Sequence, residues 1–268
     1  MEFAASLHET GFAVITDHPI AHSLIFDTFQ EWEDFFASGE KHRYTFDPKV
    51  QAGYFPFRSE NAKGAIQKDL KEFYHYYPAR SELPAGAKTH TPQLYREMQT
   101  LAETLLGWIE ASTPEPVRKK FSQPLNKMTE GSLETLLRPI HYPPLTGQEE
   151  EGAIRAAAHG DINLITLLPA ATAPGLQVKK MDGSWLDIAC DPGMIVINSG
   201  DMLNMASEGY YPSTIHQVVN PPGEAARQPR YSMPLFLHPR GDVRLSENHT
   251  ALSYLHERLR EIGLLPKT

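Results

Sequence analysis

Residues 157–161 read A-A-H-G-D and end a short apolar run. On a β-strand, side chains at positions i and i+2 point to the same face. An imidazole at His159 and a carboxylate at Asp161 would therefore converge and could share a metal ion. His216 offers a third ligand from a second β-rich run, S-T-I-H-Q-V-V at 213–219.

Short apolar segments cut by Pro and Gly surround this stretch on both sides. Their β-branched composition predicts about eight strands. The segments lie at 137–142, 154–159, 162–168, 175–180, 185–188, 193–198, 214–219 and 230–237. Such spacing is typical of a sandwich or barrel, and a jelly roll, or double-stranded β-helix, is the natural closure. The expected fold class is mainly β, with flanking α-helices packed on one face of this core.

The flanking sequence predicts the helices and one further strand. Residues 11–16 read as a strand, and apolar side chains at three- and four-residue steps predict helices at 20–36 and 92–111. An aromatic loop-and-strand layer at 44–80, a helical piece at 115–125 and a final helix at 245–262 complete the pattern. We expect Ser246 or Asn248 to cap this last helix and Gly263 to end it. The prediction is one domain over 1–268, with an amino-terminal mixed α/β layer (1–135), a jelly-roll core (136–240) and a carboxy-terminal helix (241–268).

Composition limits the classes of partner. A formal net charge of −8 and a pI near 5.8 argue against a nucleic-acid or anionic-membrane surface. The first ten residues lack a basic region, and no apolar run approaches the roughly 20 residues of a membrane span. A single cysteine, Cys190, allows no internal disulfide, fits a reducing cytoplasm and is expected to be a buried small side chain. We therefore expect a cytoplasmic monomer or weak homo-oligomer that acts on a small molecule.

Two histidines and one carboxylate, with other positions open, form the facial triad of non-haem Fe(II) oxygenases. Because the chain contains 12 His, an H-x-D pair also arises readily by chance. On the pair alone, an ordinary hydrogen-bonded His and Asp at a strand end is the alternative.

A series of motifs in a fixed order carries a stronger signal than the pair. They are E-T-G-F-A-V-I-T-D-H (9–18), D-L-K-E-F (69–73), R-P-I-H-Y-P-P (138–144), H-G-D (159–161), G-L-Q-V (175–178), Trp185, G-D-M-L (200–203), H-Q-V-V-N (216–220) and R-Y-S (230–232). In this order they resemble the Fe(II)- and 2-oxoglutarate-dependent oxygenases of the isopenicillin N synthase-like branch. Two departures are Gln217, where many members carry Arg, and a longer loop before Arg230, which we expect to be a hairpin excursion.

The resemblance implies roles by position. His159, Asp161 and His216 would hold Fe(II). Arg230 and Ser232 would bind the distal carboxylate of 2-oxoglutarate with support from Tyr142, and a guanidinium fork suits a carboxylate. The implied reaction consumes O2 and 2-oxoglutarate, releases succinate and CO2 and hydroxylates a small organic substrate, with desaturation or cyclisation as variants. Ascorbate would stimulate it.

Two other functions stay open from the sequence. An Fe(II) oxidase of the isopenicillin N synthase type would not use 2-oxoglutarate, and its R-x-S pair would bind the substrate. A non-catalytic jelly-roll protein with a structural metal is less favoured, because structural sites usually have four protein ligands.

Substrate contacts are the least determined part of the prediction. Strand alternation places Arg155 on the same face as His159, and a buried cation needs an anion. We therefore expect Arg155 to meet either a protein carboxylate or a modest-sized acidic substrate. Phe236 lies on the same strand face as Arg230 if the alternation continues through Pro234, so it is a candidate cavity residue, with core packing as the alternative.

Overall fold

A computed structural model describes residues 2–60, 66–189 and 191–266, so the expectation for Cys190 lies outside the described residues. Its α-helices are α1 (Glu2–Thr10), α2 (His22–Ala37), α3 (Thr91–Ser112), α4 (Glu115–Arg118), α5 (Leu125–Thr129), α6 (Asp201–Ala206) and α7 (Ala251–Glu261). Short 3-10 helices lie at Gly39–Tyr44, Ala85–Ala87 and Gly223–Arg227. None of the described helices has the length and apolar character needed to cross a membrane.

The strands form three antiparallel sheets. They are β1 (Phe12–Ile15), β2 (Gly53–Phe55), β3 (Glu72–His75), β4 (Leu136–Leu137), β5 (Ile140–Tyr142), β6 (Ala156–His159), β7 (Ile165–Pro169), β8 (Leu176–Lys179), β9 (Trp185–Asp187), β10 (Ile195–Ser199), β11 (His216–Val218), β12 (Arg230–Ser232) and β13 (Leu235–Leu237). The strand orders are β1-β10-β7-β13-β4, β6-β11-β8-β9 and β12-β5-β3-β2. The predicted fold class, a jelly-roll core with flanking helices, is confirmed.

Helices cover one face of the five-stranded sheet. Strand β10 is buried along its whole length, and α3 packs on β7 and β13 through an apolar stripe that includes Leu94, Met98 and Leu105. Side chains spaced at three and four residues fall on one face of a helix, so such a stripe must be buried against a second layer. Helix α2 adds Trp32, whose indole Nε1 donates to Thr91 Oγ1 at 3.0 Å.

Prolines divide two of the predicted strands. The segment at 137–142 becomes β4 and β5 on either side of Arg138 and Pro139, and the segment at 230–237 becomes β12 and β13 around Met233 and Pro234. Proline has no N–H to donate to a sheet ladder, so pairing stops there. Each half joins a different sheet, which links the five-stranded sheet to the β12-β5-β3-β2 sheet. The prediction of continuous strands was wrong at these two positions.

Several helices also differ from the prediction. Helix α1 had no counterpart in the predicted pattern, and the helical piece at 115–125 is two short helices, α4 and α5, on either side of a non-helical stretch. The last helix begins at Ala251 instead of 245. Thr250 caps it, because Thr250 Oγ1 accepts from the Ser253 amide and Ser253 Oγ accepts from the Thr250 amide in a capping box.

Candidate active site

Strands β6 and β11 bring the three candidate metal ligands together. They pair antiparallel with His216 opposite His159, and Asp161 follows β6 after one glycine. One possible ligand atom from each of the three side chains lies within 4.8 Å of the others. His216 Nε2 lies 3.8 Å from Asp161 Oδ1. The tertiary structure therefore assembles the predicted set from two strands that are distant in sequence.

Backbone carbonyls orient both imidazoles. His159 Nδ1 donates to the carbonyl of Ala157 at 2.7 Å, and His216 Nδ1 donates to that of Thr214 at 3.2 Å. With Nδ1 protonated, each Nε2 keeps a lone pair for a metal, which is the usual arrangement of metal-binding histidines.

The carboxylate of Asp161 is held by two side chains that the sequence analysis did not single out. Asp161 Oδ2 accepts from Thr166 Oγ1 at 2.5 Å and from Asn198 Nδ2 at 2.7 Å. Thr166 and Asn198 are direct register partners on β7 and β10. The sequence did carry a signal for them, because Thr166 and Asn198 are polar residues within largely apolar strands. Oδ1 is left to face His216.

The protonation states of the site suit a divalent cation. Burial, with the nearby His216, lowers the pKa of His159 to about 4. Burial alone would raise the pKa of Asp161, but His216, His159 and the two hydrogen bonds hold it below its ordinary value. Neutral imidazole and ionised carboxylate are the forms that bind metals, so at neutral pH His159 and Asp161 need lose no proton. Three nitrogen and oxygen donors fit Fe(II).

A narrow cavity of about 60 Å³ connects this triad to the predicted 2-oxoglutarate anchor. Its lining includes Tyr142, Arg230 and Ser232. Strand β12 pairs with β5 so that Arg230 lies opposite Tyr142, and the guanidinium carbon is 5.1 Å from the centre of the Tyr142 ring. Arg230 Nε donates to the Ala173 carbonyl at 2.9 Å, which fixes the direction of the fork. A buried cation and two hydroxyls at one end and the triad at the other suit a molecule with two acidic ends.

A larger cavity of about 330 Å³ lies on another side of His159 and Asp161. Its apolar wall comes from the α7 region, including Leu255, Leu259 and Ile262. Charged side chains from the β3 and β4 regions, among them Lys71 and Arg138, also line it. Lys71, Arg138 and Phe236 line both cavities and therefore lie where the two meet.

Lys71 belongs to a buried ion cluster that lines the larger cavity. Its Nζ lies 2.8 Å from Asp69 Oδ2 and 3.0 Å from Glu60 Oε2. Burial would raise the pKa of Glu60, but Lys71 and Arg138 hold it down at about 2. Asp69 Oδ1 also accepts from the Ala157 amide, which ties the cluster to the strand that carries His159. The D-L-K-E-F motif had marked this segment, but not its place in the cavity.

The two candidate substrate residues have different positions. Phe236 lines both cavities. Arg155 is fully buried, but it is not among the residues that line either cavity, and its Nη2 donates to the Gln228 carbonyl at 2.9 Å. Burial, and then the charge of Arg230, lower its pKa. The face expected for Arg155 was inferred from alternation along β6, but β6 begins only at Ala156.

Family models match both halves of the chain. The model described as 2OG-Fe(II) oxygenase superfamily covers residues 133–239, and that described as non-haem dioxygenase in morphine synthesis N-terminal covers residues 1–97. A 2-oxoglutarate-Fe(II) type oxidoreductase of Aspergillus fumigatus is 30% identical over 252 residues, which cover 84% of this chain and 72% of the relative. The chain belongs to the 2OG-Fe(II) oxygenase superfamily.

Solved structures agree with this assignment. A candidate oxygenase from Shewanella oneidensis is 51% identical, with a TM-score of 0.87 and coverage of 98% of this chain and 94% of that one. A full-length Neurospora crassa protein, solved in complex with alpha-KG and thymine, has a TM-score of 0.80 at 22% identity. The match covers 97% of this chain and 89% of that one. At this identity the likeness concerns the fold alone. This superfamily member is an Fe(II)- and 2-oxoglutarate-dependent dioxygenase that oxidises a small organic substrate with release of succinate and CO2.

Proposed function

We propose that His159, Asp161 and His216 hold Fe(II), that Arg230 and Ser232 with Tyr142 bind the distal carboxylate of 2-oxoglutarate, and that the reaction hydroxylates a C–H bond of a substrate in the larger cavity. The observation that carries the proposal is the narrow cavity that joins the triad to Arg230 while the larger cavity also opens on the triad. Co-substrate and substrate would then reach the same metal from two sides.

Each group has a distinct task. Iron bound at the triad supplies activation of O2 and the oxidising power. Arg230, Ser232 and Tyr142 orient the co-substrate so that its other end reaches the triad. Apolar residues of the α7 region exclude water from the larger cavity and position the substrate. Desaturation or cyclisation of the substrate is the variant outcome.

We also propose that residues 1–268 form one domain that works in the cytoplasm as a monomer or weak homo-oligomer. The largest apolar cluster supports the first part, because it joins Leu7 and Trp32 to Leu167 and Tyr254 across the whole length of the chain. One cysteine and a net charge of −8 support a reducing compartment and a small-molecule partner.

The test separates the metal from the co-substrate. His216→Ala should weaken Fe(II) binding strongly and abolish 2-oxoglutarate turnover, because a two-ligand site loses both affinity and geometry. Arg230→Met should keep Fe(II) binding but raise the apparent Kd of 2-oxoglutarate by about tenfold or more, since a buried carboxylate loses its charged partner.

Anaerobic competition with a chromophoric chelator measures Fe(II) binding, and the visible charge-transfer band that forms on addition of 2-oxoglutarate measures the second step. Arg227→Met is the matched control, because Arg227 is an exposed arginine at the end of the 3-10 helix that precedes β12. Iron binding by His216→Ala at undiminished affinity would refute the ligand assignment. Substrate-driven O2 uptake without 2-oxoglutarate would instead favour the oxidase.

A further inference from the structure

Three cationic side chains line the larger cavity, namely Lys71, Arg138 and Arg258. Lys71 is committed to Asp69 and Glu60, with both ion pairs at 3.0 Å or less. Arg258 lies on α7, where its Nη1 is 2.6 Å from Glu261 Oε2. Both charges are therefore neutralised within the protein.

Arg138 differs from these two. Its nearest described carboxylate oxygen is Glu60 Oε2, 3.7 Å from Nη1, which is beyond hydrogen-bonding distance. The same oxygen lies 3.0 Å from Lys71 Nζ. Among the described residues, the Arg138 side chain has no hydrogen-bond acceptor, and its Nε is buried without a partner. A mostly buried guanidinium that lacks acceptors is costly unless a ligand supplies them.

Two aromatic rings fix the position of the Arg138 fork. Its guanidinium carbon lies 4.9 Å from the centre of the Phe73 ring and 5.2 Å from that of Phe236. Cation–π contacts of this kind orient the guanidinium but do not satisfy its in-plane N–H groups. The side chain is 18% exposed and lines both cavities at their junction. A ligand in the larger cavity would therefore meet a pre-oriented donor fork close to the triad.

The rest of the cavity restricts what such a ligand can be. The α7 region presents Leu255, Leu259 and Ile262 to the same cavity, and this surface suits an apolar body. His238 also lines the cavity, and burial lowers its pKa to about 4, so it adds no positive charge at neutral pH. Arg138 lies within 4 Å of Glu60, so the charges of Lys71, Arg138, Asp69 and Glu60 sum to zero. What Arg138 offers a ligand is therefore its N–H donors, and a wall without excess positive charge favours a carboxylate over a phosphate, which carries up to two charges.

We propose that Arg138 binds a carboxylate of the prime substrate, so that the enzyme oxidises a small carboxylic acid with an apolar body packed against α7. This assignment rests on the proposed function, because it uses the triad as the reacting centre. The sequence had suggested Arg155 as the residue that binds an acidic substrate, and the assignment gives that role to Arg138 instead.

The experiment compares acids with their amides. Full-length protein is loaded with Mn(II) and N-oxalylglycine, which are redox-inactive replacements for Fe(II) and 2-oxoglutarate. Phenylacetate, phenylpropionate, hexanoate and octanoate are added, each beside its carboxamide, and thermal stability and Kd are measured. We expect one or more acids to bind at least about tenfold more tightly than the matched amide. The same acids should stimulate succinate formation by the Fe(II) enzyme.

Variants then locate the carboxylate. Arg138→Met should weaken binding of the preferred acid by about tenfold or more, and Arg138→Lys should lose less, since it keeps the charge without the fork. Arg258→Met is the matched control in the same cavity and should change Kd by no more than about twofold, because its charge is already paired.

Three results would overturn the assignment: no acid in the set binding better than its amide, an unchanged Kd in Arg138→Met, or an equal loss in Arg258→Met. Stabilisation of all variants by N-oxalylglycine alone reports separately on the proposed function. Its absence in the wild-type protein would refute that function instead.

Discussion

At the scale of single residues, the site depends on groups that touch its ligands without binding a metal themselves. The carbonyls of Ala157 and Thr214 determine which nitrogen of each histidine faces the site, and Thr166 and Asn198 hold one oxygen of Asp161. Such partners orient ligands before the metal arrives, so their loss is expected to reduce metal affinity without removing a ligand.

Thr166 provides a test of this arrangement. Thr166→Val keeps the shape of the side chain but removes the hydrogen bond to Asp161 Oδ2, so we expect the affinity for Fe(II) to fall by about 10- to 100-fold. Thr166→Ser retains the hydroxyl and should stay close to wild type. Anaerobic competition with a chromophoric chelator measures both. Equal affinities in the Val and Ser variants would show that the hydroxyl does not position the carboxylate.

At the scale of elements, α7 has two tasks. Ala251 and Tyr254 join the apolar core, and Tyr254 Oη donates to Asp201 Oδ2 at 2.7 Å, while Leu255 and Leu259 line the larger cavity. The helix is short, and an isolated helix of this length is not stable in water. Its position therefore depends on its cap and on its packing.

The cap of α7 can be tested directly. Thr250→Ala removes the side-chain acceptor of the capping box, so we expect the free energy of unfolding to fall by about 1 kcal/mol. Thr100→Ala, at an exposed position within α3, is the control and should change stability by less than about 0.5 kcal/mol. Urea unfolding followed by circular dichroism gives both values. A loss in the Thr250 variant no greater than that in the control would contradict the role of the cap.

At the scale of the whole molecule, several buried histidines are neutral in the folded state. Burial lowers the pKa of His238 to about 4, and burial together with Arg138 takes that of His75 well below its ordinary value. The unfolded chain would bind these protons near pH 6.5. As the pH falls below 6.5, protons bind first to the unfolded state. The stability contributed by neutral burial is therefore complete above pH 6.5 and is lost on the way down to about 4.

We therefore expect the free energy of unfolding of the metal-free protein to decrease between pH 6.5 and about 4.5, with His238 contributing up to about 1.4 kcal/mol per pH unit. His238→Gln should show a shallower slope by about that amount. His249→Gln, at a partly exposed position, serves as the control. Urea unfolding across this pH range measures the slopes. Parallel curves for wild type and His238→Gln would mean that His238 is not held neutral by the fold.

The sequence by itself determined the parts of this protein that repeat locally or carry a fixed motif. Short apolar, β-branched segments cut by Pro and Gly predicted the jelly-roll strands, and apolar side chains at three- and four-residue steps predicted α2 and α3. Both patterns are local properties of the sequence. H-G-D predicted that His159 and Asp161 share one strand face, because that spacing is also a local property. The roles of His216 and of the R-Y-S anchor were instead implied by the resemblance to a known family. The prolines that divide two strands were visible in the sequence, and each ends the pairing because proline has no N–H to donate to a sheet.

Tertiary structure alone decided which side chains meet across elements. Arg138 and Arg155 both lie within predicted strands but just outside the observed ones, and only Arg138 lines the larger cavity. Register between β7 and β10 brought Thr166 and Asn198 to Asp161, and the placement of α7 formed the apolar wall. Contacts of this kind depend on the free energy of packing the whole chain, and a local pattern of residues does not contain that information.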